Sequence, residues 1–333
     1  MMAVEQQFGG RVVDQAQSAY CQAEGIPGVW NFGYTPDIER TREEQAVDAS
    51  VRAMMPSFEI TGAWNDDPEK VFIWEAALAV NGGKHFRTFW QRTGSCVGNG
   101  GGQATRYLQA VEIYRDGEAE EYRLPFWLLP YGKSRQYAGM RGRGEGSFGS
   151  AFAKAAMDDG FLDAKQAGLP QPEVDNDEEG LSWGANAEYA WSDGAAIDTR
   201  YLTRQHLIKS AAPINNGDQA WEAISNWYPM TIASDWGGQM RPEVVDGVLL
   251  NRRVTRWMHQ MSVIGRWRHP TLGKLFYILN SWGTRTHGIC PSGAPPGGFW
   301  VKFADIDAIT RQKDSFAFSG YQGFPAQEFK VRV

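Results

Sequence analysis

Residues 90–105 read WQRTGSCVGNGGGQAT and place a cysteine, Cys96, between a Gly-Ser pair and a run of glycines. A free cysteine that merely fills a hydrophobic core needs no such setting, because it packs like any small apolar side chain. Gly94 and Ser95 predict a tight turn into a helix that begins near Cys96. Exposed N–H groups and the dipole at a helix N-terminus favour the thiolate, so we expect the pKa of this thiol to be lowered.

Glycines at positions 98, 100, 101 and 102 conflict with that helix, because each costs about 1 kcal/mol relative to alanine in a helix interior. Either another backbone approaches the helix closely, or the regular helix begins only near Gln103. A phosphate-binding loop would need Lys-Ser or Lys-Thr after the last glycine. Gln103 and Ala104 stand there instead, so we exclude that interpretation.

The composition narrows the class of protein. The chain has 333 residues, 42% of them apolar, which is enough for one large domain or two lobes. The net charge of −6 argues against a nucleic-acid partner. Three cysteines (Cys21, Cys96 and Cys290) cannot form a disulfide framework and indicate a reducing compartment. The N-terminus lacks a signal peptide and no segment has the length of a membrane span, so we expect a cytoplasmic protein with no membrane partner.

Helical patterns dominate the first part of the chain and strand patterns the last third, which predicts an α+β class with two lobes. We expect an N-terminal arm or prosegment-like region over residues 1–70. A helical lobe carrying Cys96 should follow over residues 71–205, and a β-rich lobe over residues 206–333. The arm is interpreted either as an inhibitory segment that crosses the site or as an assembly arm.

A nucleophilic thiol needs a base, and the base needs a group that orients it. His259 lies in the strand-like run WMHQMSVIG, where by itself it is an ordinary core or edge histidine. Asn280, in ILNSWG, has an amide that can hold the imidazole ring, and Trp282 can shield their hydrogen bond from water. The alternative interpretation of NSWG is simply a strand end that runs into a turn.

The order Gln, Gly-Ser-Cys, His and Asn-Ser-Trp-Gly resembles the papain-like cysteine peptidases. EAISNWYPMTIAS, HQMSVIG and GGFWVKF are also similar to segments of that family. The resemblance implies a two-lobe fold with Cys96 as nucleophile, His259 as base and Asn280 as the residue that orients it. Gln91 and the Cys96 amide would bind the oxyanion, with Ser95 and Trp282 in support.

The chain departs from the family pattern at several points. Val97 replaces the usual aromatic residue after the cysteine, and Gln91 lies five rather than six residues before Cys96. The glycine-rich run RGRGEG resembles the family's substrate wall, which makes Gly142, Gly144 and Gly146 candidate substrate-binding residues. The run HGIC, with His287 and Cys290, has half the ligands of a zinc site and no second pair. We therefore expect no metal and no cofactor.

The resemblance implies a cysteine endopeptidase that acts on polypeptides. GGFWVKFADID, DSFAFSG and GFPA are also similar to papain-like proteins associated with tailed phages. That association gives an alternative, a virion structural protein whose partners are other virion proteins. A second alternative is a peptidoglycan-cleaving hydrolase, since other lineages of this fold cut cell walls.

Overall fold

The computed structural model describes residues 29–61, 69–117, 121–142, 144–192 and 204–324. Cys21 and half of the predicted N-terminal arm, residues 1–28 and 62–68, lie outside these ranges. The helices are α1 (Arg42–Met54), α2 (Trp74–Val80), α3 (Cys96–Val111), α4 (Leu128–Tyr137), α5 (Gly149–Asp158), α6 (Gly184–Ser192), α7 (Gly217–Ser225) and α8 (Phe303–Thr310). None of them has the length and the apolar run that crossing a bilayer requires.

Most of the strands form one large mixed sheet. Its main path is β10 (Glu243–Val245), β11 (Val248–Leu250), β14 (Gly298–Lys302), β13 (Gly273–Leu279), β12 (Thr255–His269), β9 (Met230–Gly237), β15 (Ser315–Ser319) and β8 (Ser210–Ile214). Two further strands, β1 (Val29–Asn31) and β2 (Lys70–Phe72), pair with β12. Small sheets join β3 (Pro125–Phe126), β4 (Phe161–Asp163) and β7 (Arg204–Gln205), and join β5 (Val174–Asn176) with β6 (Gly180–Ser182).

The sequence predicted these elements well at the C-terminal end. Helix α7, Pro229 and β9 follow one another as expected, and the runs around His259, Asn280 and Phe299 form β12, β13 and β14. Helices α2 to α6 lie between residues 74 and 192, and β8 to β15 lie between residues 210 and 319. The α+β class is therefore confirmed, whereas the three-part division of the chain stays a prediction.

Helix α3 includes all four glycines, so of the two alternatives the later helix start near Gln103 was wrong. A Cβ atom on Gly100 would stand 3.1 Å from the backbone oxygen of Gln260 in β12. A Cβ on Gly98 or Gly102 would stand 2.5 Å from Trp127, and one on Gly101 2.0 Å from Phe152. The glycines therefore let the helix lie against a strand and two aromatic rings at distances that larger residues would prevent.

Two local patterns give wrong predictions. DDPEKVFIWEAALAVNG, with acidic residues and Pro68 at its start and Asn81-Gly82 at its end, predicts one helix. In the structure Lys70–Phe72 is a strand on β12 and the helix begins at Trp74, so pairing with β12 overrides the local helical pattern. The sequence also predicts Ser150 as a cap of α5, but the helix begins at Gly149, and the Ser150 hydroxyl donates to Asp48.

Candidate active site

Cys96 is the first residue of α3 and is completely buried. Burial raises the pKa of its thiol, while the backbone amides of Gln260, Val97 and Cys96 itself act in the opposite direction. The lowered pKa expected from the helix N-terminus is therefore not found in this conformation. The cause is the loss of solvent around the sulfur, because a thiolate without water is costly.

His259 lies on β12 and is also fully buried. Its Nε2 is 2.7 Å from Oδ1 of Asn280, and its ring stacks on Trp282 with the centroids 4.9 Å apart and the planes inclined by 22°. Its Nδ1 atom is buried and has no hydrogen-bond partner among the described residues. Burial is the main reason that its pKa falls to about 3, and the hydrogen bond to Asn280 partly opposes that fall. The imidazole ring is therefore neutral, and its Nδ1 atom makes no hydrogen bond to any described residue.

Asn280 follows the last residue of β13 and is held on both sides of its backbone. Its N–H donates to Gly297 at 3.3 Å, and its carbonyl accepts from the Gln103 side chain at 3.2 Å. Its Oδ1 also accepts from the backbone N–H of Ser281 at 2.7 Å. The structure thus brings together His259, Asn280 and Trp282 in the arrangement expected from the sequence, and the role of each stays a prediction.

The Gln91 side chain shares a hydrogen-bond acceptor, the Phe32 carbonyl, with the backbone N–H of Cys96 in spite of its unusual spacing. Its Nε2 donates to the carbonyl of Thr93 at 3.0 Å and to that of Phe32 at 3.2 Å. Because carbonyl oxygens can only accept, these two bonds fix the NH₂ end of the amide, and the Ser281 hydroxyl donates to its Oε1 at 2.6 Å. Ser281, the neighbour of Asn280, was not singled out from the sequence.

The carbonyl oxygen of Phe32 accepts hydrogen bonds from both groups predicted to bind the oxyanion. The backbone N–H of Cys96 donates to it at 3.4 Å, and the Gln91 amide at 3.2 Å. The Phe32 ring lies 5.2 Å from the His259 ring and 4.7 Å from Trp282. Phe32, from the N-terminal part of the described chain, therefore covers the candidate site.

Phe32 belongs to a stretch that we call the covering segment, residues 29–35. Its first half, β1, runs parallel to β12, and the Phe32 N–H donates to the carbonyl of Met258 at 2.9 Å. Its second half bonds to Ser147: the Ser147 N–H donates to Gly33 at 2.9 Å, and Thr35 donates to Ser147 at 3.0 Å. The covering segment is thus held by backbone hydrogen bonds on both sides of the candidate site.

Buried charges anchor the chain just after the covering segment. Arg40 lies 2.5 Å from Asp314 and 3.1 Å from Asp48, and its Nε donates to the carbonyl of Thr35. Arg52 bridges the same two carboxylates at 2.8 and 2.9 Å. Removing one partner of such a buried pair typically costs about 3–5 kcal/mol, so this cluster fixes the N-terminal part of the described chain to the sheet.

The three glycines of the predicted substrate wall differ in their burial and in what surrounds them. Gly146 is buried, and a Cβ there would stand 2.9 Å from the carbonyl oxygen of Gly33 in the covering segment. Nothing lies within 4 Å of the place that a Cβ would take at Gly142 or Gly144, and both are exposed. The carbonyls of Gly144 and Gly146 accept from the buried Arg135 side chain, which shapes this loop.

The supporting role predicted for Ser95 stays a prediction, and the structure bonds this residue to one that the sequence did not reveal. Its hydroxyl donates to the carboxylate of Glu188 at 2.7 Å and does not cap α3. Glu188 is buried and also accepts from the Thr93 hydroxyl and from the N–H groups of Arg92 and Thr93. Burial raises the pKa of this carboxyl to about 7 in spite of these bonds. Glu188 thereby holds together the turn before Cys96.

His287, read from the sequence as half of a zinc site, has both ring nitrogens engaged elsewhere. They lie 2.9 Å from the Asn280 amide nitrogen and 2.9 Å from the carbonyl of Met240. The sulfur of Cys290 contacts the Ser292 hydroxyl at 2.9 Å. Within the described ranges, no three His, Cys, Asp or Glu side chains are grouped as a metal ion requires.

Comparison with known proteins identifies the fold as that of the papain-like cysteine proteases. No protein-family profile matches the chain, and no curated protein is significantly similar to it. Among solved structures, xylellain, a cysteine protease from Xylella fastidiosa, is similar over 96% of this chain and 100% of its own, with a TM-score of 0.52 and 16% identity. The Amb a 11 cysteine protease, a major ragweed pollen allergen, in its proform, is similar over 96% of this chain and 84% of its own, with a TM-score of 0.50 and 12% identity.

At these identities the likeness establishes the fold alone. The predicted α+β class and papain-like two-lobe fold are thereby confirmed. The predicted phage origin has no support in any of these comparisons. The activity has to be argued from the site itself.

Proposed function

We propose that this protein is a cysteine endopeptidase and that the covering segment keeps it latent in the conformation described. One observation carries the proposal. The carbonyl of Phe32 accepts hydrogen bonds from the Cys96 N–H and the Gln91 amide, beside a histidine whose second nitrogen is bonded to Asn280. Two convergent N–H donors next to a thiol are the arrangement that stabilises the oxyanion of acyl transfer.

The unpartnered Nδ1 of His259 is the base in this proposal. The hydrogen bond of Nε2 to the Asn280 oxygen requires the proton on Nε2, which leaves a lone pair on Nδ1. Nδ1 takes the thiol proton of Cys96, and the sulfur attacks a peptide carbonyl. The resulting oxyanion takes the place that the Phe32 carbonyl oxygen holds now. Losing one such donor typically slows the reaction about 10²–10³-fold.

The remaining steps return the enzyme to its starting state. The imidazolium of His259 donates its proton to the leaving amine as the C–N bond breaks, which leaves an acyl group on Cys96. A water molecule then attacks this thioester and gives its proton to His259. The C–S bond breaks, and the sulfur of Cys96 recovers a proton. The net reaction adds one water across one peptide bond.

The covering segment explains why the thiol and imidazole are both neutral here. It excludes water from Cys96 and His259, and burial raises the pKa of the thiol while it lowers that of the imidazole. Departure of residues 29–35 would return solvent to both groups and favour the ion pair. The similarity to a protease described in its proform agrees with a latent state.

The test compares hydrolysis of quenched fluorescent peptides by the wild-type chain and by a Gly33→Ala variant, which is designed to displace the covering segment. We expect slow hydrolysis by the wild type and faster hydrolysis by the variant. Adding Cys96→Ala to either should abolish it. Cys290→Ala is the matched control, because Cys290 is also a buried thiol but lies outside the site. The proposal fails if Cys96→Ala leaves hydrolysis unchanged, or if neither chain cleaves any peptide in a diverse library.

No contact at the site favours a peptidoglycan substrate or a role as a virion component. The comparisons support a polypeptide substrate at the level of the fold family and give no support to virion partners. The same assay, run with purified peptidoglycan, would identify a wall-cleaving enzyme by release of soluble fragments.

A further inference from the structure

His287 is buried among aromatic rings and bonds to Asn280 at the end of its amide that does not contact His259. Its ring is 2% exposed and packs against Phe299, Trp282 and Trp257, with centroids 4.8, 5.6 and 6.4 Å away. Both ring nitrogens are engaged within this enclosure. No water can replace either bond without entering between the aromatic rings, so the loss of one would leave a buried polar atom unsatisfied.

The partners of His287 determine which of its nitrogens carries the proton. Nδ1 lies 2.9 Å from the carbonyl oxygen of Met240, and a carbonyl can only accept. The proton is therefore on Nδ1, and Nε2 has only a lone pair to offer. Nε2 lies 2.9 Å from the Asn280 amide nitrogen, which must then be the donor.

The proton position on His287 sets the orientation of the Asn280 amide, and that orientation sets the proton position on His259, the candidate base. With its NH₂ group turned to His287, the Asn280 side chain presents its oxygen to Nε2 of His259 at 2.7 Å. An oxygen there requires the proton of His259 on Nε2 and leaves Nδ1 as the basic nitrogen. The Ser281 N–H also donates to the same oxygen at 2.7 Å, so two contacts hold this end of the amide. Among the described residues, His287 is the partner of the other end.

We propose that His287 is a positioning residue of this site, which fixes the amide orientation of Asn280 and thereby the tautomer of His259. The proposal deepens the peptidase function and rests on it. The opposing interpretation is a core histidine that only fills the aromatic enclosure. Both interpretations share the same packing, so the test must change the hydrogen bonds and preserve the ring.

His287→Phe keeps a ring in the enclosure and removes both hydrogen bonds, while His287→Gln retains an acceptor that can reach the Asn280 amide. His269→Phe is the matched control. His269 is likewise buried, with Nε2 on the carbonyl of Asp246, and lies at the far end of β12. The three variants separate loss of polarity, its partial rescue, and the loss of a buried histidine elsewhere.

The first measurement is ¹⁵N and ¹H NMR of the histidine rings, which reports protonation of each nitrogen whether or not the protein cleaves peptides. The wild type should show His287 protonated on Nδ1 and His259 protonated on Nε2. In His287→Phe, the His259 Nε2–H signal should broaden or be replaced in part by Nδ1–H, whereas His287→Gln and His269→Phe should retain it. An unchanged His259 signal in a folded His287→Phe chain overturns the proposal, and so does a wild-type His287 protonated on Nε2.

The second measurement is the kinetics of the same variants, each combined with Gly33→Ala. Leaving the Asn280 amide half-satisfied should lower kcat about tenfold to a hundredfold with KM nearly unchanged, and His287→Gln should recover most of it. Equal kcat values for His287→Phe and His269→Phe would refute the positioning role even if peptides are cleaved. If no variant cleaves peptides, the peptidase function fails and the NMR result still decides the proton arrangement.

Discussion

A substitution at Gly33 should displace the covering segment while leaving the candidate catalytic residues themselves unchanged. Its φ of +106° is a conformation that residues with side chains rarely adopt. A Cβ there would stand 1.8 Å from the carbonyl oxygen of Gly94, which is backbone and cannot rotate away. Gly33→Ala therefore meets both strain and a steric clash, and the simplest relief is for residues 32–34 to leave the site.

The size of the effect follows from these two costs. A side chain in an unfavourable backbone region costs about 1–3 kcal/mol, and the clash adds to it. Taking about 3 kcal/mol for the covered conformation, the ratio of uncovered to covered molecules should rise about a hundredfold, because every 1.4 kcal/mol is a factor of ten. The rate at which a reagent reaches Cys96 should rise by the same factor.

The assay is alkylation of the native protein by iodoacetamide at pH 7, with Cys96 followed by peptide mapping so that other cysteines do not contribute. Gly168→Ala is the control: it has a similar φ of +88°, but nothing lies within 4 Å of its Cβ position. We expect slow labelling of the wild type and the control, and labelling of Gly33→Ala about a hundred times faster. If a folded Gly33→Ala chain labels Cys96 no faster than the control, residues 29–35 do not limit access to the thiol. Rapid labelling of the wild type would contradict the buried thiol itself.

Two further predictions concern stability. Glu188→Gln places an NH₂ group among four donors that now share one carboxylate. The free energy of unfolding, measured by urea titration at pH 8, should therefore fall by about 1–3 kcal/mol. An unchanged midpoint would mean that the turn before Cys96 does not depend on this residue. Burial lowers the pKa of His259 to about 3 and of His287 to about 4, both below the ordinary value of 6.5. Between pH 6.5 and 5 only the unfolded chain takes up these protons, so each histidine should cost about 2 kcal/mol of stability on acidification. His287→Phe should show a smaller loss than the wild type between those two pH values, and a loss equal to that of the wild type would mean that His287 does not contribute to it.

Much of the candidate site was accessible from the sequence because its chemistry resides in short motifs. Cys96 at a Gly-Ser turn, His259 in an alternating strand and the Asn-Ser-Trp-Gly run of residues 280–283 each predict a local structure. The resemblance of their order to that in papain-like peptidases implies the fold. The alternation of β12 and the run into β13 then put the imidazole and the amide side by side. Helix α3 was harder, because local helix propensity penalises its glycines, which are explained by the close packing of Trp127, Phe152 and Gln260.

Other parts of the site have no local signal. Glu188 lies in an ordinary helical stretch, and nothing near it indicates that its carboxylate is buried under a turn 93 residues earlier. His287 was visible as a histidine in HGIC, but its partners, Asn280 and Met240, are known only once the loops meet. Long-range hydrogen bonds of this kind depend on tertiary packing, which a single sequence does not encode in any local pattern.

By itself the sequence determined the α+β class, the helix that begins near Cys96 and the histidine and asparagine strands, because hydrophobic periodicity and turn residues act over a few positions. Only the tertiary structure decided that Phe32 covers the site and that the thiol is buried and neutral. The physical reason is that burial and hydrogen bonding depend on which distant groups exclude water from a side chain. In the proposed function, the same cysteine at the same helix terminus is a reactive thiolate or a protected thiol according to whether residues 29–35 cover it.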